Sequence, residues 1–301
     1  MAWGDVNSSG GSGNYVAIGT FKPGIEIWNL DVLSALEPTC ILGGEDLSED
    51  EERQAREMME AYKAKKEGKK GKAAPPPTQG EKEGKLYEGS HTDAVMCLDW
   101  SKLHRNLVLS GSADSTVKLW DVTSPHTPLT TFEHHTDKVS AVAFHPTDGH
   151  VYASGGFDKC VCVVDARTSD SARRASHGAD VEEVAWDPTR PHLLTAAGED
   201  GMVKCWDVRS LSSPLWTLDC GASSSLAFNA NVAGMMSVVG EDKEVKIYDT
   251  HAEGGPRCVI RKDGTVGKLY TTQFYESGEM LVGFGGTGGQ VSGSDVAKAT
   301  S

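Results

Sequence analysis

His91, Ser110 and Asp114 are the residue types of a nucleophilic triad: a base, a hydroxyl and an orienting carboxylate. His135, Ser154 and Asp158 stand at the same spacing further along, and His177 and Asp200 keep the interval of 23 residues between base and acid. A catalytic site is not normally built several times in one chain. The repetition therefore favours a structural reading, in which a buried turn aspartate accepts from the histidine and ties a strand's entry loop to the strands inside it. The chain carries no P-loop and no nucleophile elbow. Its seven cysteines form no CxxC pair and no Cys/His metal spacing. No catalytic residue, metal or cofactor is implied, and the thiols read as reduced.

The elements that would position these residues follow from the repeat. Asp114 precedes Trp120-Asp121 as Asp158 precedes Val164-Asp165, Asp200 precedes Trp206-Asp207 and Asp242 precedes Tyr248-Asp249. Short apolar runs rich in β-branched residues, separated by Gly, Ser and Asp, lie at 94–100, 106–112, 116–120 and 129–132, and recur through 139–164, 181–206 and 224–248. Four short strands per unit of about 40 residues predict an all-β fold, a β-propeller of the WD40 type. Strands at 14–19 and 24–28, with 1–6 as a first-strand fragment, make an incomplete earlier blade. There Trp3 takes the place of Trp100 and Trp186. A degenerate last blade spans 268–291, with Ser294-Asp295 in the Trp-Asp slot. Six blades are thus visible of an expected seven, and a further blade is expected on the amino side because open sheet edges are costly. The division is 1–43 for the first blade, 44–89 for a charged insertion of low order, and 90–301 for five further blades.

The net charge of −14 disfavours a general nucleic-acid binder and suits a basic protein partner. No apolar run approaches the length of a membrane span. Within the insertion, Ser48 and Glu51 form a capping box, and Ala55, Met58, Met59 and Tyr62 follow at helical spacing. Lys63, Lys65, Lys66, Lys69, Lys70 and Lys72 then lead into a proline run. Three readings fit: a solvated, partly helical loop; a docking helix using Met58, Met59 and Tyr62; or a lysine run serving as a nuclear address or a contact to rRNA phosphates. Ser48 followed by acids also fits a phosphorylation site.

The strings Asn14-Tyr15-Val16-Ala17-Ile18-Gly19, Ile25-Glu26-Ile27-Trp28-Asn29-Leu30-Asp31 and Leu36-Glu37-Pro38 precede the lysine-rich insertion. Gly89-Ser90-His91-Thr92-Asp93-Ala94-Val95, His135-Thr136-Asp137-Lys138-Val139 and Phe284-Gly285-Gly286 follow it. Together they resemble the periodic tryptophan protein 1 family. That resemblance implies a noncatalytic, nuclear and largely nucleolar WD-repeat scaffold of ribosome biogenesis, acting in pre-rRNA processing, large-subunit assembly and rRNA gene expression. It implies ribosome assembly factors as partners, with histones or pre-rRNA as further contacts, and no membrane. Two alternatives stay open. Trp206-Asp207-Val208-Arg209, echoed by Val164-Asp165-Ala166-Arg167, matches the WDxR sequence of cullin-ligase substrate receptors. A histone-reading propeller would instead need an aromatic cage, for which Tyr15, Phe157 and Tyr275 are the candidates and Phe157, beside Asp158, the first choice.

Overall fold

The computed structural model describes residues 1–6, 12–32, 37–45, 85–168, 172–264, 267–275, 280–288 and 291–295. These residues hold no helix, and none that could cross a membrane. Six antiparallel sheets succeed one another along the chain, each running from its first strand inside to its last at the edge. The first blade is β1 (Ala2–Val6), β2 (Ser12–Gly19), β3 (Ile25–Asn29) and β4 (Cys40–Leu42). The second is β5 (Val95–Trp100), β6 (Leu107–Ser112), β7 (Val117–Asp121) and β8 (Thr130–Phe132). The third is β9 (Val139–Phe144), β10 (Val151–Gly156), β11 (Cys160–Asp165) and β12 (Arg173–Ser176), and the fourth is β13 (Val181–Trp186), β14 (Leu193–Gly198), β15 (Met202–Asp207) and β16 (Trp216–Asp219). The fifth is β17 (Ser225–Phe228), β18 (Met235–Val239), β19 (Glu244–Asp249) and β20 (Arg257–Asp263). The sixth comprises β21 (Leu269–Phe274), β22 (Leu281–Gly286) and β23 (Val291–Asp295). The architecture is the WD40-type β-propeller that the repeat predicts.

Inner strands are buried on both faces, so they read as apolar runs; β14 is buried at all six positions. The fourth strands are different. β12 and β20 each bury at most a residue or two and carry charged or polar side chains outward, as edge strands must. Of these strands only β8 was legible as an apolar run; β12 and β20 carry no alternation that sequence reading can use, and β4 and β16 are only three and four residues long.

Apolar clusters join consecutive blades. Tyr15, Ile27, Trp100 and Trp120 pack between the first two, and Leu109, Val139 and Tyr152 between the second and third. Val163, Val184 and Trp206 follow, then Val203, Leu226 and Tyr248, then Val239, Leu269 and Phe284. The close approach rests on a repeated knob. A Cβ added at Gly111 would stand 2.6 Å from Val139, and one at Gly155 would stand 2.4 Å from Val181. The second strand of a blade thus needs glycine where the next blade's first valine inserts.

Trp3 lies opposite Val16 in register, as Trp100 lies opposite Val108. Yet Trp3 is 70% exposed, against 3% for Trp100 and 6% for Trp186. The later tryptophans lie on the blade before them: the Trp186 indole donates to the Ala143 carbonyl at 3.1 Å, and Trp100 covers Gly4. Among the described residues no blade precedes β1 to cover Trp3. Ser294-Asp295 faces Val282-Leu281 as Trp120-Asp121 faces Val108-Leu107, so the register puts it in the Trp-Asp slot.

Candidate functional site

The triad-like residues lie inside the blades. The Ser110 hydroxyl accepts the Trp120 indole N–H at 2.8 Å and lies 2.7 Å from His91 Nε2. His91 Nδ1 lies 2.8 Å from the Asp114 carboxylate, which also accepts the backbone N–H groups of Thr92 and Thr116. With Nδ1–H donating to the acid, Nε2 is left to accept from the serine. The relay runs indole to hydroxyl to imidazole to carboxylate, and every member is satisfied. Burial lowers the pKa of His91, with the Asp114 bond and charge opposing it. Burial alone would raise Asp114, but the bond from His91 and the backbone donors hold it far below the ordinary carboxylate range. Ser110 and His91 are fully buried, so no substrate reaches them.

The third blade repeats the pair: His135 Nδ1 lies 3.0 Å from Asp158, and its Nε2 lies 2.8 Å from Ser154 Oγ. Val164 replaces the tryptophan here and offers no indole. His134 Nε2, 2.8 Å from the same hydroxyl, takes over that contact. Burial, and then the neighbouring His135, push His134 down to about 3.

The fourth blade departs from the expectation. Neither ring nitrogen of His177 reaches a hydrogen-bond partner, and the bond to Asp200 does not form. Ala196 occupies the serine position in register, and Asp200 is exposed, capping only the Met202 N–H. In the fifth blade the exposed Asp242 accepts instead from buried Lys246, which also donates to the Cys220 carbonyl. The aspartate of each Trp-Asp pair does hold one role: Asp121, Asp165, Asp207 and Asp249 each accept the backbone N–H two residues on, closing the third-to-fourth-strand turn.

The two WDxR-type arginines fold back onto these acids. Arg209 Nε lies 2.8 Å from Asp207 Oδ1, and Arg167 Nε lies 2.8 Å from Asp165 Oδ1, with Asp148 at 3.2 Å. Their side chains are 71% and 53% exposed on the rim of the third-to-fourth-strand turns. Phe157 sits half-buried in the turn from β10 to β11, at the opposite rim. Tyr15 is buried near the start of β2, and Tyr275 is exposed just beyond β21, both at the rim away from Phe157. Antiparallel strands alternate their turns between the rims, so these three aromatics do not surround one opening.

Met58, Met59, Tyr62, the lysines from Lys63 to Lys72, and Ser48 lie outside the described residues. The stem of their segment is described. Glu45 bridges Leu86 antiparallel, the Tyr87 N–H donates to the Gly44 carbonyl at 2.9 Å, and the Gly44 N–H donates to Ser90 Oγ. The segment therefore leaves and rejoins the propeller at one point, between β4 and β5, on the rim that carries Phe157. Sequence reading missed two acids on the innermost strands. Burial pushes Asp99 up to about 6, against the Phe144 N–H it accepts, and pushes Glu183 up to about 7, against donors that include Ser225.

Comparison with known proteins agrees with this geometry. The WD domain, G-beta repeat, matches residues 83–121, 126–165 and 172–207. Periodic tryptophan protein 1 of Saccharomyces cerevisiae is 36% identical over 54% of this chain and 25% of its own length. Its Drosophila melanogaster homolog is 28% identical over 57% of this chain and 30% of its own length. The ribosome biogenesis protein WDR12 homolog of Trichoplax adhaerens is 42% identical over 25% of this chain and 17% of its own length. The chain thus spans about a quarter of the relatives it matches first. A chain from the crystal structure of the mitotic checkpoint complex superposes with a TM-score of 0.68 at 18% identity, covering 93% of this chain and 70% of that one, which concerns fold alone. In repeat and register the chain has the architecture of a WD40-type β-propeller, and in sequence it is similar to periodic tryptophan protein 1 of yeast and fly.

Proposed function

We propose that this chain is a noncatalytic scaffold of ribosome biogenesis, working in the nucleus and nucleolus during large-subunit assembly. One observation carries the reading: the side chains able to do chemistry are spent inside the blades, where they hold strands together. The names of its relatives support the pathway, periodic tryptophan protein 1 through the family resemblance and the ribosome biogenesis protein WDR12 homolog through its own name. Assembly factors are the expected partners, met through the rim from which the 46–84 segment springs. Pre-rRNA would be met indirectly or through the lysines of that segment. The division into 1–43, 44–89 and 90–301 serves this reading, with the middle piece as an excursion on a pinned stem.

Affinity purification of the tagged chain from nuclear extract, with RNA and protein identified before and after nuclease, tests this. Recovery of large-subunit precursor rRNA with assembly factors is the expected result, with some factors surviving nuclease. Recovery of ligase adaptors or nucleosomes without pre-rRNA would overturn it.

A further inference from the structure

The third blade breaks the repeat at three positions that meet in space. Cys162 pairs with Ser154 in register, where Lys118, Lys204 and Lys246 pair with Ser110, Ala196 and Val238. Val164 replaces the aromatic residue of Trp120, Trp206 and Tyr248. His134 precedes His135 where Ser90 precedes His91 and Ser176 precedes His177. Elsewhere a lysine ammonium fills this part of the blade, donating to the His177 carbonyl from Lys204 and to the Cys220 carbonyl from Lys246. In the third blade no lysine stands there: two imidazoles and a thiol face one another, and Arg174, the register partner of Cys162, supplies the nearby cation.

Their geometry is convergent. His134 Nε2 and His135 Nε2 each lie 2.8 Å from the Ser154 hydroxyl, and the two rings are 4.7 Å apart between centroids. One ligand atom from each of His134, His135 and Cys162 lies within 4.8 Å of the others. A tetrahedral zinc ion, with bonds of about 2.0–2.3 Å, sets its ligands roughly 3.3–3.7 Å apart, so shifts of about an ångström bring these three donors to bonding distance and leave the fourth position to a further ligand. The Asp158 carboxylate, 3.0 Å from His135 Nδ1, fixes that ring with Nε2 turned inward as Asp114 does for His91, an orientation that also suits a metal-bound imidazole. The Tyr152 hydroxyl is buried and unpartnered, in a residue whose ring lies 6.2 Å from that of His134. Arg174, the register partner of Cys162 on β12, pairs with Asp158 at 2.7 Å from the outside and balances that acid.

We propose that His134, His135 and Cys162 form a binding site for a zinc-class transition metal inside the third blade. The thiolate and two imidazole nitrogens are the donor set that favours zinc over hard, oxygen-seeking cations. The ion displaces the Ser154 hydroxyl from the two imidazole nitrogens and pins β11 to the loop before β9. Its role is structural, since the donors lie within the blade.

The test is a titration of the untagged, chelator-treated chain with cobalt(II), then zinc(II). The expected result is one cobalt per chain, with thiolate-to-cobalt charge-transfer absorption that zinc abolishes and a thermal midpoint that zinc raises. Cys162→Lys and His134→Ser restore the residues of neighbouring blades and so keep the fold, and each lowers affinity at least about 100-fold, while Asp158→Asn lowers it about 10- to 100-fold. Cys160→Ser leaves binding unchanged. Absence of the charge-transfer band with excess cobalt, or equal affinity in Cys162→Lys, overturns the proposal. Should Cys162→Lys unfold, His134→Ser decides alone.

Discussion

Ser110→Ala removes one oxygen from the centre of the second blade's relay. The hydroxyl is acceptor to the Trp120 indole at 2.8 Å and partner to His91 Nε2 at 2.7 Å. Its loss leaves a buried donor and a buried acceptor without partners, at about 1–3 kcal/mol each, so about 3 kcal/mol of stability should go. The cavity left by one oxygen adds little to this. Urea unfolding of the intact chain, followed by tryptophan emission, measures it. The fourth blade supplies the reverse experiment. Ala196 stands where that serine stands, and both nitrogens of His177 are orphaned. Ala196→Ser should therefore gain about 1 kcal/mol by giving a buried imidazole its partner. A loss under about 1 kcal/mol for Ser110→Ala would refute the structural role of the relay. Loss rather than gain for Ala196→Ser would refute the equivalence of the blades.

Asp99 and Glu183, raised to about 6 and about 7, favour their protonated forms in the folded state, so stability falls as pH rises from about 4 through 7. Glu183→Gln should flatten that decline in pH-resolved thermal unfolding. Asp114 has the opposite sign: its depressed folded pKa gives stability that is complete above the ordinary carboxylate range and is lost on acidification, so Asp114→Asn should lessen the acid sensitivity. Gly155→Ala drives a methyl to 2.4 Å from Val181 and should cost about 1–3 kcal/mol, read as a lower urea midpoint. Arg209→Ala should change stability by less than about 0.5 kcal/mol, because an exposed ion pair contributes little; adaptor binding that depends on it would promote the ligase alternative.

The inner three strands of each blade were legible because burial on two faces writes itself as apolar runs, and because each blade's spacing checks the next. Of the fourth strands only β8 was. β20 is exposed at nearly every position, so only backbone pairing with β19 defines it. The His91–Asp114 bond was readable from a fixed interval. Its failure at His177 was not, because the deciding residue is Ala196, a small apolar residue inside an apolar run. Asp99 and Glu183 were invisible for a related reason: nothing in a strand's alternation distinguishes an acid on an innermost strand from one facing solvent. The aromatic candidates failed on topology, since their types were right but their turns lie at opposite rims.

Repetition also separates chemistry from architecture. A residue that recurs at blade spacing is explained by the blade, and His91, Ser110 and Asp114 lose their catalytic appearance once His135, Ser154 and Asp158 make the same bonds. The informative positions are then those that break the pattern. Val164 alone would be a weak blade, having lost an indole contact worth about 1 kcal/mol and the burial of a large ring. Cys162 alone would be a missing lysine. His134 restores the contact, and with Cys162 it gathers a donor set that no single substitution would make. His134 stands 28 and 30 residues before Cys162 and Val164 yet meets Cys162 in space, so these departures are better explained by one shared ligand than by independent drifts.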